Sequence, residues 1–198
     1  FAHRLTSATF SPDGKWLAIG SLDRSATLWD VKSGRKLAVQ QHLDGVQALA
    51  FSRDGKRLKV GDSSGTLRNY YIVPPNKDDP NAQLILRSLE DAWGAHPTRL
   101  WSVVAASREQ ILYSAGKDGM VRRWRPDREQ QVQRVIPSNY SDRFMDLEFS
   151  PDDGSLKVLR EMTGPAVLDA ATLKPQQAFR SHFDRWRALC TLEGRDEV

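Results

Sequence analysis

A short phrase that returns at intervals sets the limits on how this chain can fold. Phe10-Ser11-Pro12-Asp13-Gly14 is followed by Phe51-Ser52-Arg53-Asp54-Gly55 and by Phe149-Ser150-Pro151-Asp152-Asp153-Gly154. The first two copies start 41 residues apart (position 10 to position 51), the second and third 98 apart (position 51 to position 149), which is two periods and an insertion. Other residues keep the same count. Nineteen residues after each Phe stand Trp29, Tyr70 and Leu168, and nine before Phe51 stands His42. The same two steps from His96 land on Ala105 and Trp124, a copy that lacks its Phe. All four histidines, His3, His42, His96 and His182, fall at this one place, His3 two residues nearer its Phe; Tyr140 fills it in the fourth copy.

The segments around these markers read as strands. Leu5–Phe10, Val46–Phe51 and Phe144–Phe149 alternate in part, and each runs into an Asp-Gly-type turn and a second strand such as residues 16–19. Ser64-Gly65 and Asp118-Gly119 mark the next turn, before strands at 66–71 and 120–124. Fourth strands are predicted at 36–39, 83–87, 131–135 and 176–179. Four strands every ~40–45 residues make a propeller blade, a sheet whose faces only neighbouring blades bury. Blades are expected at about 1–40, 41–90, 91–137 and 138–181, with the first strand of a fifth in 182–198. Rings take ~4–8 blades. Because a fifth copy has begun, the expected architecture is a single all-β domain, an open arc of a larger ring rather than a closed four-bladed one. The long step from His42 to His96 is mostly residues 73–81, rich in proline and polar side chains, and reads as an exposed insertion between third and fourth strands.

The third copy, with Ala95-His96, Ser114, Asp118-Gly119, Val121 and Trp124, and the first, with its Phe-Ser-Pro-Asp-Gly phrase and Trp29-Asp30, resemble the WD-repeat β-propeller family, and the likeness covers essentially the whole chain. The resemblance implies a rigid platform that binds proteins, peptides and sometimes nucleic acid. It also implies a buried group of His, Ser or Thr, Asp and Trp that ties the outer loop to the strands. His96, Ser114, Asp118 and Trp124 match every member. The first copy keeps His3, Asp23 and Trp29 but has Ile19 for the hydroxyl; the second has His42 with Val60, Ser64 and Tyr70; the fourth has Tyr140, Leu159, Met162 and Leu168. A buried polar group without its partner costs about 1–3 kcal/mol. Partial loss of the group should therefore come with apolar replacement of the rest. The third blade is expected to be the best ordered and the fourth the loosest.

Composition narrows the function classes. Hydrophobic content of 39% with 27% charge suits a folded chain. No apolar window is long enough to span a membrane, and no charged-then-apolar leader follows Phe1. Cys190 is the only cysteine, so neither an internal disulfide nor a multi-cysteine zinc site can form, and a reducing, cytoplasmic setting is expected. Ser114, His96 and Asp118 have the composition of a hydrolase triad, but a triad needs an exposed nucleophile and an oxyanion site; their place in the repeat makes them structural. The histidines lie on separate blades and do not converge on a metal. Asp13, Asp54 and Asp152 read as turn formers rather than calcium ligands. Asn139-Tyr140-Ser141 fits a glycosylation pattern that is common by chance. No glycine-rich phosphate loop is present. No catalytic residues, metal or cofactor are expected, and the chain reads as a binding protein.

One pattern points to a partner. Six residues before the Phe position lie Arg4, Gly45, Arg99, Arg143 and Arg185. Two residues further on lie Thr6, Gln47, Trp101, Met145 and Arg187, and just before the turn Asp position lie Leu22, Ser63, Lys117 and Glu161. The resemblance places these in the loops that enter the innermost strands, on the narrow face near the central channel. Arg, Trp and Met are favoured in binding hot spots, and the guanidinium fork suits carboxylate or phosphate. With a net charge of +4, this face is expected to bind an acidic or phosphorylated peptide through Arg4, Arg99, Trp101, Lys117, Arg143, Met145, Arg185 and Arg187. The plain alternative is that the arginines are solvated or pair with turn aspartates. A nucleic-acid partner, with steep salt dependence, and a propeller arm of a larger kinase or ATPase are the rival functions.

Overall fold

The computed structural model describes residues 4–75, 84–106, 111–124, 132–137, 144–150, 152, 154–160 and 164–178. They form four antiparallel four-stranded sheets, each built from strands consecutive in sequence. Blade 1 comprises β1 (Leu5–Phe10), β2 (Trp16–Ser21), β3 (Ser25–Asp30) and β4 (Lys36–Gln41); blade 2, β5 (Val46–Phe51), β6 (Arg57–Asp62), β7 (Thr66–Val73) and β8 (Ile85–Gly94). Blade 3 comprises β9 (Leu100–Ala105), β10 (Leu112–Gly116), β11 (Met120–Trp124) and β12 (Val132–Pro137); blade 4, β13 (Phe144–Phe149), β14 (Ser155–Arg160), β15 (Gly164–Asp169) and β16 (Pro175–Ala178). The outer strands run differently from the sequence expectation: β8 begins two residues later and extends to Gly94, and β12 reaches Pro137. Among the described residues no helix is long and apolar enough to cross a membrane.

The repeated phrase is a turn whose side chains do the folding. Ser11 donates its hydroxyl to Asp13 (2.7 Å) and accepts the Trp16 backbone N–H (2.9 Å), while the Asp13 carboxylate also accepts the Lys15 N–H (3.1 Å). Ser52 and Asp54, and Ser150 and Asp152, repeat the hydroxyl–carboxylate bond at 2.6 Å. Gly14 and Gly55 sit at φ 70° and 66°, where a side chain is strained. These local bonds fix the hairpin register, and the register sends alternate residues to opposite faces.

The blades bury those faces against one another. Ala18 and Leu28 of blade 1 pack on Leu49, Phe51, Leu58, Val60 and Tyr70 of blade 2. Ala48, Ala50 and Leu67 on the other face of blade 2 meet Leu100, Val103 and Trp124 of blade 3, and Tyr113 and Val121 of blade 3 meet Phe144, Leu147 and Leu156 of blade 4. The inner strands pack in series, β1 on β5, β5 on β9 and β9 on β13, and the series does not return to β1. The arrangement is an open arc of propeller blades. Its consequence is visible at one repeat position: Phe51, with blades on both sides, is 8% exposed, whereas Phe10 on the end blade is 60% exposed.

Candidate functional site

In blade 3 the strands bring four distant residues into one buried chain of hydrogen bonds. The Trp124 indole N–H donates to Ser114 Oγ (2.8 Å), and Ser114 Oγ lies 2.8 Å from His96 Nε2. His96 Nδ1 lies 2.9 Å from Asp118 Oδ1. Nδ1 faces both the Asp118 carboxylate and the Arg122 guanidinium, so the tautomer is assigned from the serine: Ser114, which accepts the indole proton, donates its own to Nε2, and the ring proton sits on Nδ1 toward the carboxylate. Burial pushes the His96 pKa down against the pull of Asp118, so the ring is neutral. Burial opposes ionisation of Asp118, yet its bonds to His96 and to the Arg122 guanidinium hold its carboxyl below the ordinary range. The connectivity imitates a hydrolase triad. Ser114, however, is fully buried and already accepts the indole proton, so its oxygen has no route to a substrate.

The other copies solve the same problem differently. In blade 1 Ile19 lacks a hydroxyl, but its cross-strand partner Thr27 supplies one, and the Trp29 indole N–H donates to Thr27 Oγ1 (2.9 Å). Asp23 accepts the Ser25 N–H (3.0 Å) and closes the turn locally; His3 lies outside the described residues. In blade 2 the carboxylate has moved two residues upstream. Asp62 accepts the N–H groups of Ser64 and Thr66 (3.0 Å each) and pairs with Arg68 at 2.7 Å. His42 remains, buried, with neither ring nitrogen hydrogen-bonded and its ring edge-on to Tyr70. Burial, reinforced by Arg68, lowers its pKa to about 4. This departs from the expectation that partial loss brings apolar replacement: Val60 and Tyr70 are replaced, the histidine is not. In blade 4, Leu159 and Leu168 are buried as expected, while Tyr140 and Met162 lie outside the described residues.

The narrow rim lies at the opposite end of the inner strands from the Phe-Ser-x-Asp-Gly turns. Arg4, Gly45 and Arg99 immediately precede β1, β5 and β9, and each carbonyl accepts one N–H from the facing turn: Leu22 to Arg4 (3.0 Å), Ser63 to Gly45 (2.9 Å) and Lys117 to Arg99 (2.7 Å). These bonds lock Arg99 and Lys117 side by side, both exposed. The Arg99 guanidinium lies over the Trp101 ring, 5.1 Å from its centroid. Thr6, Gln47 and Trp101 border an open recess of about 580 Å³ lined by the four inner strands. Gln47 is tied down by donating to Ser63 Oγ (2.8 Å). Further down the channel wall, Ser102 donates to Asp146 (3.1 Å) across the blade 3–4 seam.

Residues 1–30 match the family profile described as "WD domain, G-beta repeat". Over these residues the chain is similar to the WD-repeat family. Among curated relatives, it is 27% identical over 190 residues to "Eukaryotic translation initiation factor 3 subunit I" of Aspergillus oryzae, a match covering 85% of this chain and 56% of the relative. It is 29% identical over 191 residues to the protein of the same name from Emericella nidulans, with the same coverage. The chain thus spans about half the length of the curated relatives it matches.

Within this arc of blades, the structure brings Arg4, Arg99, Trp101 and Lys117 to one rim. Arg143, Arg185 and Arg187 lie outside the described residues, as does the side chain of Met145. The aspartates of the turns are already engaged, but by other arginines: Arg68 by Asp62 and Arg122 by Asp118. Sequence reasoning missed both. The signal was there, since Arg68 and Arg122 face Val60 and Ser114 across the same register position.

Proposed function

We propose that this chain is a non-catalytic protein-interaction scaffold whose narrow rim takes an acidic or phosphorylated peptide segment. The supporting observation is the pairing of Arg99 and Lys117, held together by a backbone bond and backed by Trp101. Among the described residues neither cation meets a carboxylate; the turn aspartates nearby are occupied by Arg68 and Arg122. A stacked guanidinium loses less side-chain freedom when it binds an anion than a free one does. The two curated relatives are named as subunits of an initiation factor, and a scaffold joining other proteins accords with that name.

The test is charge reversal at the rim. A variant carrying Arg99→Glu and Lys117→Glu, with its fold checked by circular dichroism, is titrated with a fluorescent acidic peptide bearing phosphoserine. Binding is expected to weaken at least about tenfold, equivalent to ~1.4 kcal/mol, and to weaken further with salt. Equal affinity for the variant and the parent chain would overturn the assignment.

A further inference from the structure

The opposite side of the arc carries a second recess that the rim does not use. It lies between the Phe-Ser-x-Asp-Gly turns of blades 1 and 2 and runs outward to β8, enclosing about 490 Å³. Its floor is apolar: Trp16, Tyr71, Ile72, Val73 and Pro74. Tyr71 is held in place by the Arg57 guanidinium, 5.0 Å above its ring. Val73 is 38% exposed, an apolar side chain at a strand end with no cover among the described residues.

The charges around this floor are unequal in their commitments. Asp13 is bound to Ser11, to the Lys15 N–H and to the Lys15 ammonium (3.1 Å). Asp54 is bound to Ser52 Oγ (2.6 Å) and to the Lys56 N–H (3.0 Å). Both carboxylates are thus oriented by their own turns, and only Asp13 is ion-paired among the described residues. The Lys56 ammonium and the Arg87 guanidinium line the same recess and are exposed, and neither has an ionic partner among the described residues. An occupant therefore meets an apolar floor, two cations without ion pairs, and two carboxylates turned into their own turns, so that the two cations outweigh the one carboxylate, Asp54, that lacks an ion pair.

We infer that this recess between blades 1 and 2 is a second peptide-binding site, for an extended segment that sets one aromatic or aliphatic side chain on Trp16 and Tyr71 and presents carboxylates to Lys56 and Arg87. Size favours a chain segment. From the β5–β6 turn to β8 the recess crosses two strand spacings, roughly 10 Å at about 4.8 Å each. An extended peptide rises about 3.3 Å per residue, so three or four residues fill it. The apolar contact supplies affinity in proportion to area buried, and the Lys56 and Arg87 charges fix which end of the segment points outward.

The experiment uses the intact chain and a panel of fluorescent peptides whose four-residue cores pair Trp, Phe or Leu with Asp or Glu in either order. A matched panel carries Lys in place of the acids. At least one acidic core is expected to bind, and its lysine counterpart to bind at least about tenfold more weakly. Lys56→Glu with Arg87→Glu should reduce that binding about tenfold or more, and Val73→Asp, a change at an exposed position, should reduce it independently. In a chain carrying Arg99→Glu and Lys117→Glu, which removes the acidic-peptide site of the rim, binding of that core is expected to persist and then to be lost on adding Lys56→Glu with Arg87→Glu, which separates this site from the rim. Failure of every acidic core, equal binding of the lysine panel, or disappearance of all acidic-core binding in the rim variant would each overturn the proposal.

Discussion

Replacing Ser114 by Ala removes one oxygen from the middle of the blade 3 network and nothing else of consequence. Ser114 is fully buried, and its Oγ is 2.8 Å from both Trp124 Nε1 and His96 Nε2. Without it an indole N–H and a ring nitrogen are left in a dry site. Each orphaned group costs about 1–3 kcal/mol, partly offset because the serine hydroxyl no longer has to be desolvated. The expected loss is about 2–4 kcal/mol. The corresponding Thr27→Val change in blade 1 should cost less, about 1 kcal/mol, because Trp29 is only half-buried and water can reach its N–H. Repeat arrays need not unfold as one unit, so the assay is local: amide hydrogen exchange of β10 and β11. At ~1.4 kcal/mol per decade the Ser114→Ala exchange should quicken roughly 30- to 700-fold. Rates within about threefold of the parent would refute the claim that this group ties blade 3 together.

Acid should loosen blade 2. The folded pKa of His42 is about 4 against an ordinary 6.5, so between these values the unfolded chain binds more protons and stability falls as the pH drops from about 7 toward 4. The full effect is about 3 kcal/mol. His42→Phe should remove that part of the pH dependence in denaturant titrations. Gly65→Ala should be severely destabilising, by more than about 3 kcal/mol, because φ is 84° and a Cβ would stand 2.1 Å from the His96 carbonyl oxygen. Gly14→Ala, at φ 70° with nothing within 4 Å, should cost only about 1–2 kcal/mol; thermal denaturation compares the two. Arg24 occupies the place of Gly65 and Gly119 at φ 71°, so Arg24→Gly should raise the melting temperature, by relieving about 1 kcal/mol of strain.

Much of the scaffold was legible in the sequence because the repeat reports local chemistry. The Phe-Ser-x-Asp-Gly phrase is a turn bonded to itself, and a self-bonded turn looks alike wherever it occurs. The His96, Ser114, Asp118 and Trp124 group was legible because a single period separates it from better-marked copies. What escaped was set across strands. Thr27 substitutes for the missing hydroxyl of blade 1 from the neighbouring strand, a relation fixed by the Ile19–Thr27 register and invisible to a linear count. Asp62 does the work of an aspartate two residues out of register, which a strict count reads as a loss. Lys59, in a strand pattern that gave no reason for it to be inside, is buried between blades with its ammonium on Asn69 Oδ1 (2.9 Å), and burial lowers its pKa to about 8. The rim was legible as a list of basic positions, but the stacking of Arg99 on Trp101 depends on how β9 presents the two side chains.

Hydrogen exchange of the intact chain, with and without the phosphoserine-bearing acidic peptide, tests the interaction-scaffold account most directly, because it maps the contact instead of inferring it from a variant. The account predicts slower exchange on binding at residues 97–101 and 116–119, where Arg99, Trp101 and Lys117 meet, and no change at the turns around Asp13 and Asp54. Saturating peptide that leaves residues 97–101 and 116–119 exchanging at the free rate would contradict it.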